Sequence, residues 1–185
     1  MLRFKEKYNK EIIPAMMEKF GYKNRMAVPR IEKVVVNSGF GRLIVALAGD
    51  EQKKTIQNFI DDISLICGQK PVLTKAKKSI ASFKLRQGLV IGVKATLRGP
   101  KMEDFIDRLV RFVLPRTRDF KGLDPKSVSQ QGDLSIGFKE QIAFPEISQE
   151  NIKRIFGLEV VIHTTAENKE EGIGLLKLLG FPFKA

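Results

Sequence analysis

The sequence predicts an α+β fold: a mostly antiparallel sheet of about five strands, with helices packed on one face and the other face open, polar and basic. Three observations point there. Residues 89–98 alternate strictly, with Leu89, Ile91, Val93, Ala95 and Leu97 on one parity and Val90, Gly92, Lys94, Thr96 and Arg98 on the other. Successive strand side chains point to opposite faces, so this strand carries one apolar face and one polar, partly basic one. Apolar residues recur at helical spacing in stretches that lie between strand-like runs. A hairpin joining two neighbouring strands, with helices between the others, then favours antiparallel pairing and a single helix-covered face.

Taken in order, Leu2 to Phe20 reads as an amphipathic helix, with Phe4, Tyr8, Ile12, Met16 and Phe20 spaced four apart and Ile13 and Met17 beside them. Pro14 is expected to kink or split it, and Gly21 to stop it. Ile31 to Ser38 is short and β-branched, hence a strand. Gly39, Phe40 and Gly41 read as a flexible exit. Asp50 to Cys67 is a second helix with Ile56, Phe59, Ile60, Ile63 and Ile66 as its stripe, ended by Gly68. Pro71 to Ala76 is the first strand of a hairpin whose second strand is the alternating run. Its loop, about 75–86, is too long for a tight turn and too basic to bury, with Lys77 and Lys78 expected near the tip.

Pro100 opens a third helix, lined by Met102, Phe105, Ile106, Leu109, Val110 and Val113, and Pro115 is expected to end it. Residues 116–133 have no periodicity and read as a long loop, and a loop of that length is either functional or mobile. Leu134, Ile136, Phe138 and Ile142 mark another strand. Ser148 to Phe156 reads as a short helix with a capping serine, Leu158 to Thr165 as the last strand, and Asn168 to Leu179 as the last helix. No repeat and no interdomain linker is visible, so residues 1–185 are expected to form a single domain.

Charge is concentrated rather than spread. The chain carries a formal net charge of +12 and a pI near 9.9. Between Asp62 and Glu103 there is no acid, yet Lys70, Lys75, Lys77, Lys78, Lys84, Arg86, Lys94, Arg98 and Lys101 all fall there. Solvated surfaces usually mix signs, and a one-sign field recruits a polyanion. An open sheet face beside such a field is a familiar platform for RNA. No apolar run approaches a membrane span, and the N-terminus lacks the apolar run of a signal peptide, so a cytoplasmic chain without a membrane partner is expected.

Signs of catalysis are weak. Gly39-Phe40-Gly41 resembles the start of a dinucleotide fingerprint, but position 44 is Ile rather than the third glycine, which favours a plain turn. His163 is the only histidine and Cys67 the only cysteine. Cys67 ends an apolar stripe, so a buried thiol is favoured over a Cys–His dyad. Asp61 and Asp62 read as a solvated helical face. No metal or cofactor site is visible. The competing readings are an RNA-modifying enzyme, which would need a cofactor loop or an acid–base pair, and a free-standing RNA chaperone with the same surface.

Five runs, VVVNSGFG (34–41), GQKPVLTKAKKSIASFKLRQG (68–88), TLRGPKM (96–102), LPRTRDFKGL (114–123) and EQIAFPEI (140–147), stand in an order that resembles the bacterial large-subunit ribosomal protein L-five (uL-five) family. The resemblance runs from about Leu2 to the Gly-Phe-Pro-Phe at 180–183. It implies a non-catalytic ribosomal RNA-binding protein that attaches 5S rRNA to the central protuberance, among large-subunit rRNA and other central-protuberance proteins. It implies 5S rRNA contacts at Asn37, Gln69 and Thr96, with Lys70 and Arg98 on phosphates. It implies a loop facing the peptidyl-site tRNA that contains Lys75, Lys77, Lys78, Ser79 and Phe83. It also implies an intersubunit bridge to a small-subunit head protein, drawing loosely on Arg116, Arg118 and Phe144. Residues 128–133 depart from the family pattern, where Phe-Asp/Asn-Gly-x-Gly-Asn is common.

Overall fold

Five strands pair in the order β2-β3-β1-β5-β4, with β1 Ile31–Gly39, β2 Val72–Lys75, β3 Val90–Leu97, β4 Leu134–Phe138 and β5 Leu158–Thr164. The sheet is antiparallel and the fold is α+β. The computed structural model describes residues 4–118, 120–147 and 154–184. Burial along the strands alternates as the sequence pattern requires: Val36 and Ser38 are buried while Val35 and Asn37 are partly open, and Val93 and Ala95 are buried while Lys94 is exposed. The chain divides into two compact units, Met1–Val34 with Leu97–Ile136 and Val160–Ala185, and Val35–Thr96 with Gly137–Glu159.

In the first unit, the N-terminal helix continues through Pro14 instead of splitting. Its turns run Phe4–Lys7 as α, Tyr8–Ile12 as π and Ile13–Phe20 as α. The same arrangement recurs at Pro115, where Pro100–Arg108 is α, Leu109–Val113 is π and Leu114–Arg116 is α. A helical proline lacks its N–H and crowds the carbonyl four residues back. In each case the residue before the proline, Ile13 or Leu114, donates instead to the carbonyl five residues back, Tyr8 or Leu109. The widened turn admits the ring without breaking the helix. Met16, Leu109, Leu175 and Leu176 are fully buried in this unit. The last helix, Lys169–Leu179, carries Gly174 under the Phe20 ring and Gly172 against Gly132.

The second unit is built on the Gly49–Cys67 helix, whose Phe59, Ile63, Ile66 and Cys67 are buried. Phe40 is 1% exposed and its ring lies 4.3 Å from that of Phe59, which lies 4.4 Å from that of Phe156. The expected flexible exit at 39–41 is therefore an anchor, followed by a short Gly41–Ala46 helix. Burying so large an aromatic outweighs the freedom of the two flanking glycines. Gln141 is fully buried because it clasps backbone: its Nε2 donates to the Arg154 carbonyl at 2.6 Å and its Oε1 accepts from Phe156 N at 2.8 Å. Ile142 belongs to the Gln141–Ala143 turn and not to β4. The helix expected over 148–156 falls mainly on residues outside the described ones, and 154–156 are not helical.

Candidate nucleic-acid interface

The basic hairpin is longer and tighter than its strands alone suggest. β2 and β3 are antiparallel, with Val72 opposite Lys94 and Thr74 opposite Gly92, so these side chains share a face. Pairing continues outward: Ala76 N donates to the Leu89 carbonyl at 2.8 Å and Gly88 N to the Ala76 carbonyl at 2.9 Å. Beyond it, Ile80 and Leu85 exchange two backbone bonds of 3.0 and 3.1 Å. Ser79 Oγ accepts from Gln87 N at 2.9 Å and so pins the two arms. The tip is consequently Ala81–Lys84, and Lys77 and Lys78 stand on the exposed stem, a correction to their expected place. Lys84 adopts φ +51°, a left-handed conformation unusual for a side chain with a Cβ. Phe83 is 63% exposed there.

At the base of the hairpin, Gly68 (φ +61°) ends the long helix and turns the chain into Gln69. Gln69 Nε2 donates to the Thr96 carbonyl at 3.3 Å, which ties the start of one arm to the end of the other. The Gln69 carbonyl oxygen and the Thr96 hydroxyl make no further side-chain hydrogen bond among the described residues. Asn37 lies on β1, the strand next to β3, half-buried and on the parity opposite the buried Val36 and Ser38. Gly92 permits this closeness, since a Cβ there would stand 2.8 Å from both the Ser38 carbonyl and Thr74 Oγ1. Lys70, Lys94 and Arg98 are exposed. Neutral amides and a hydroxyl flanked by cations suit the reading of ribose and base edges between held phosphates.

Sequence reading missed a cleft of about 410 Å³ lined by Gly41, Arg42, Val45, Phe83, Leu85 and Ile91. The available signal was apolar: Val45, Leu85 and Ile91 are not fully covered by the fold. Once Gly39-Phe40-Gly41 is taken as a loose exit, nothing places Arg42 near the hairpin.

Arg116 and Arg118 are exposed. Phe144 is not: it is 1% exposed, edge-on to Phe138 at 5.4 Å, and offers no surface to a partner. The bridge contact that the resemblance implies therefore does not extend to Phe144, whose apolar ring belongs to the core. The 116–133 loop is held at its middle and at its far end. Leu123 N donates to the Pro182 carbonyl at 2.7 Å and the Leu123 carbonyl accepts from Lys184 N at 2.9 Å. Where the family pattern lapses, the Asp133 carboxylate accepts from Thr164 N at 2.8 Å and meets His163 Nδ1 at 2.9 Å. His163 is thus engaged by a carboxylate, and Cys67 is buried. Among the described residues no His, Cys, Asp and Glu cluster could hold a metal ion.

Residues 24–86 match the family model described as Ribosomal protein L5, and residues 90–183 match the model of the same ribosomal family's C-terminus. The chain belongs to the ribosomal protein L5 family. Relatives agree along the whole length. The large ribosomal subunit protein uL5 of Thermoanaerobacter sp. is 51% identical over 183 residues, 99% of each chain. That of Syntrophomonas wolfei is 51% identical over 184 residues, 100% of each, and that of Fervidobacterium nodosum is 51% identical over 180 residues, 97% of this chain and 95% of its own. In this L5-family chain the two matched segments meet in the hairpin, between Arg86 at the end of the first and Val90 at the start of β3.

Proposed function

We propose that this chain is a non-catalytic, structural constituent of the large ribosomal subunit in the cytoplasmic ribosome. It holds 5S rRNA to large-subunit rRNA in the central protuberance, beside the other proteins there. Family membership and the names of the relatives support the coarse statement. The observation that carries the finer one is the Gln69–Thr96 hydrogen bond, which gathers a free amide oxygen, a hydroxyl and Lys70 at the hairpin base. Asn37, Gln69 and Thr96 read 5S rRNA, with Lys70 and Arg98 on its phosphates. The projecting part of the hairpin, with Lys75, Lys77, Lys78, Ser79 and Phe83, reaches peptidyl-site tRNA, Ser79 by bracing the stem. Arg116 and Arg118 face a small-subunit head protein across an intersubunit bridge.

The test compares binding of 5S rRNA, tRNA and an unrelated RNA of equal length. 5S rRNA should bind best, with log affinity falling linearly against log salt at a slope of about −3 to −5 if roughly five phosphates are held. Lys77→Ala with Lys78→Ala should leave 5S affinity within about threefold, or ~0.7 kcal/mol, because the stem charges lie beyond the roughly 8 Å screening length from the hairpin base. The separation follows from the eight residues from Gln69 to Lys77, about 25 Å at ~3.3 Å per extended residue. The same pair should weaken tRNA retention on ribosomes. Equal affinity for all three RNAs would favour a general RNA chaperone.

A further inference from the structure

The cleft beside the hairpin lies wholly within the second unit and shares no residue with the contacts proposed for 5S rRNA. One wall is the Gly41–Ala46 helix, and the other is the outer hairpin with Ile91 of β3. Both walls are fixed. Phe40 N donates to the Ile91 carbonyl at 2.9 Å, which seats the helix on β3, and Gln52 Nε2 donates to the Ile44 carbonyl at 2.8 Å. A Cβ on Gly41 would stand 3.4 Å from the Ile91 side chain, so helix and strand are in close contact there. On the hairpin side the two Ile80–Leu85 bonds hold the tip, and the left-handed Lys84 directly follows Phe83. Backbone of that kind persists where its surroundings hold it. A preset cleft loses little conformational freedom when it is filled.

Its chemistry is two-part. Val45, Leu85 and Ile91 are partly open and Phe83 is largely exposed, so the interior is hydrocarbon that the fold leaves in water. Arg42 lines the same cleft, and Lys84 and Arg86 flank Leu85 in the chain. All three cations are exposed, and none forms an ion pair among the described residues. The segments that build the cleft hold no acid, since none occurs between Glu32 and Asp50 or between Asp62 and Glu103. An apolar interior with a rim of one sign fits an apolar side chain flanked by groups of the other sign. Three cations around one cleft match several carboxylates, which a fatty acid lacks. A nucleobase fits poorly, because Val45, Phe83, Leu85 and Ile91 have no donor or acceptor to replace the water lost from its edge. A second copy of this chain would bring a net charge of +12 against the same cations.

We infer that this cleft docks an acidic peptide segment of another protein. One aromatic or aliphatic side chain enters between Val45 and Phe83, and its neighbouring carboxylates meet Arg42, Lys84 and Arg86. The site does not depend on the 5S reading. In the tRNA reading Phe83 is shared, so an acidic segment seated here and tRNA exclude one another.

The test titrates the full chain into a fluorescein-labelled peptide with a central Phe and three Glu on each side, read by anisotropy. Replacing that Phe by Ala in the peptide should weaken binding about tenfold or more, the effect of burying one aromatic side chain. Val45→Asn and, separately, Arg42→Glu in the protein should each weaken binding of the Phe peptide at least about fivefold. Arg42 is exposed, so Arg42→Glu should keep the urea midpoint and test the cleft without testing the fold. Equal affinity for the Phe and Ala peptides overturns the inference, because charge alone would then explain binding. Affinity for the Phe peptide that is indifferent to both variants overturns it as well. A labelled single-stranded RNA that loses more from Val45→Asn than the peptide does would overturn it in favour of a base. Displacement of the peptide by dodecanoate at lower concentration than by unlabelled peptide would do so in favour of lipid, and self-association abolished by Arg42→Glu in favour of a second copy. Failure of the 5S or tRNA reading leaves the peptide titration unchanged, because neither RNA is present in it.

Discussion

Asn37, Gln69 and Thr96 carry their proposed role through atoms the fold leaves unspent. Gln69 uses one N–H on the Thr96 carbonyl and keeps its oxygen. Alanine at any of the three leaves an RNA polar group unpaired, so each should weaken 5S rRNA binding by about 1–3 kcal/mol. None carries charge, so filter-binding titrations across salt should show parallel lines of unchanged slope. A flattened slope with intact affinity would move the RNA face elsewhere. Gln69→Ala should also loosen the hairpin base, and is expected to be the most costly of the three. Gln141 contrasts with them. It is as polar and as neutral, yet it is fully buried on backbone groups of 154–156 and has nothing left to offer a ligand.

Among the elements, the hairpin and its neighbour β1 depend on one missing methyl group. At Gly92 a Cβ would meet the Ser38 carbonyl and Thr74 Oγ1 at 2.8 Å, and the first of these is backbone that must move. Gly92→Ala is therefore expected to cost about 1–3 kcal/mol, as overpacking does. Urea unfolding should show a lower midpoint at an unchanged m-value. The displacement falls on the residue next to Asn37, so 5S affinity should drop as well, although position 92 itself touches no RNA in the proposed reading. Full stability together with full affinity would mean that β1 shifts freely, and would leave Asn37 without a fixed place. The two proline-bearing helices show the opposite economy: a π turn ahead of Pro14 and of Pro115 preserves a helix that proline alone would break.

At the scale of the whole molecule, distant parts of the chain hold the long loop. Leu123 bonds to Pro182 and Lys184 on its two sides, and Leu123 and Phe181 are buried. Local contacts cannot replace a strap that is so far away in sequence. Deleting residues 181–185 should release the loop and open Arg116, Arg118 and Lys121 to trypsin, while 5S rRNA binding, proposed for residues that make none of these contacts, stays within about threefold. Limited proteolysis followed by mass spectrometry reads the first outcome and filter binding the second. A loop equally resistant after truncation would show that the Gly132–Gly172 approach and the Asp133 contacts suffice to hold it.

The strands, the long helices and the position of the positive field were legible because they rest on local periods. Side-chain alternation at 89–98, the apolar stripe of 50–67 and the run without acids each express geometry that repeats within a few residues. The same is true of Gly21 and Gly68 as helix ends, both with positive φ. Packing decided the rest. Phe40 and Phe144 sit in segments rich in turn residues, and only the neighbours they meet, Phe59 and Phe138, show that their rings belong to the core. The hairpin tip moved outward from Lys77 to Lys84 because a second pair of backbone bonds, between Ile80 and Leu85, closes a ladder with no periodic signature. Sequence by itself determined which faces are apolar and where charge gathers, since both are sums over neighbouring residues. Which polar groups remain unspent was decided only in the tertiary structure, because a hydrogen bond such as Gln69 to Thr96 joins residues that no local pattern connects.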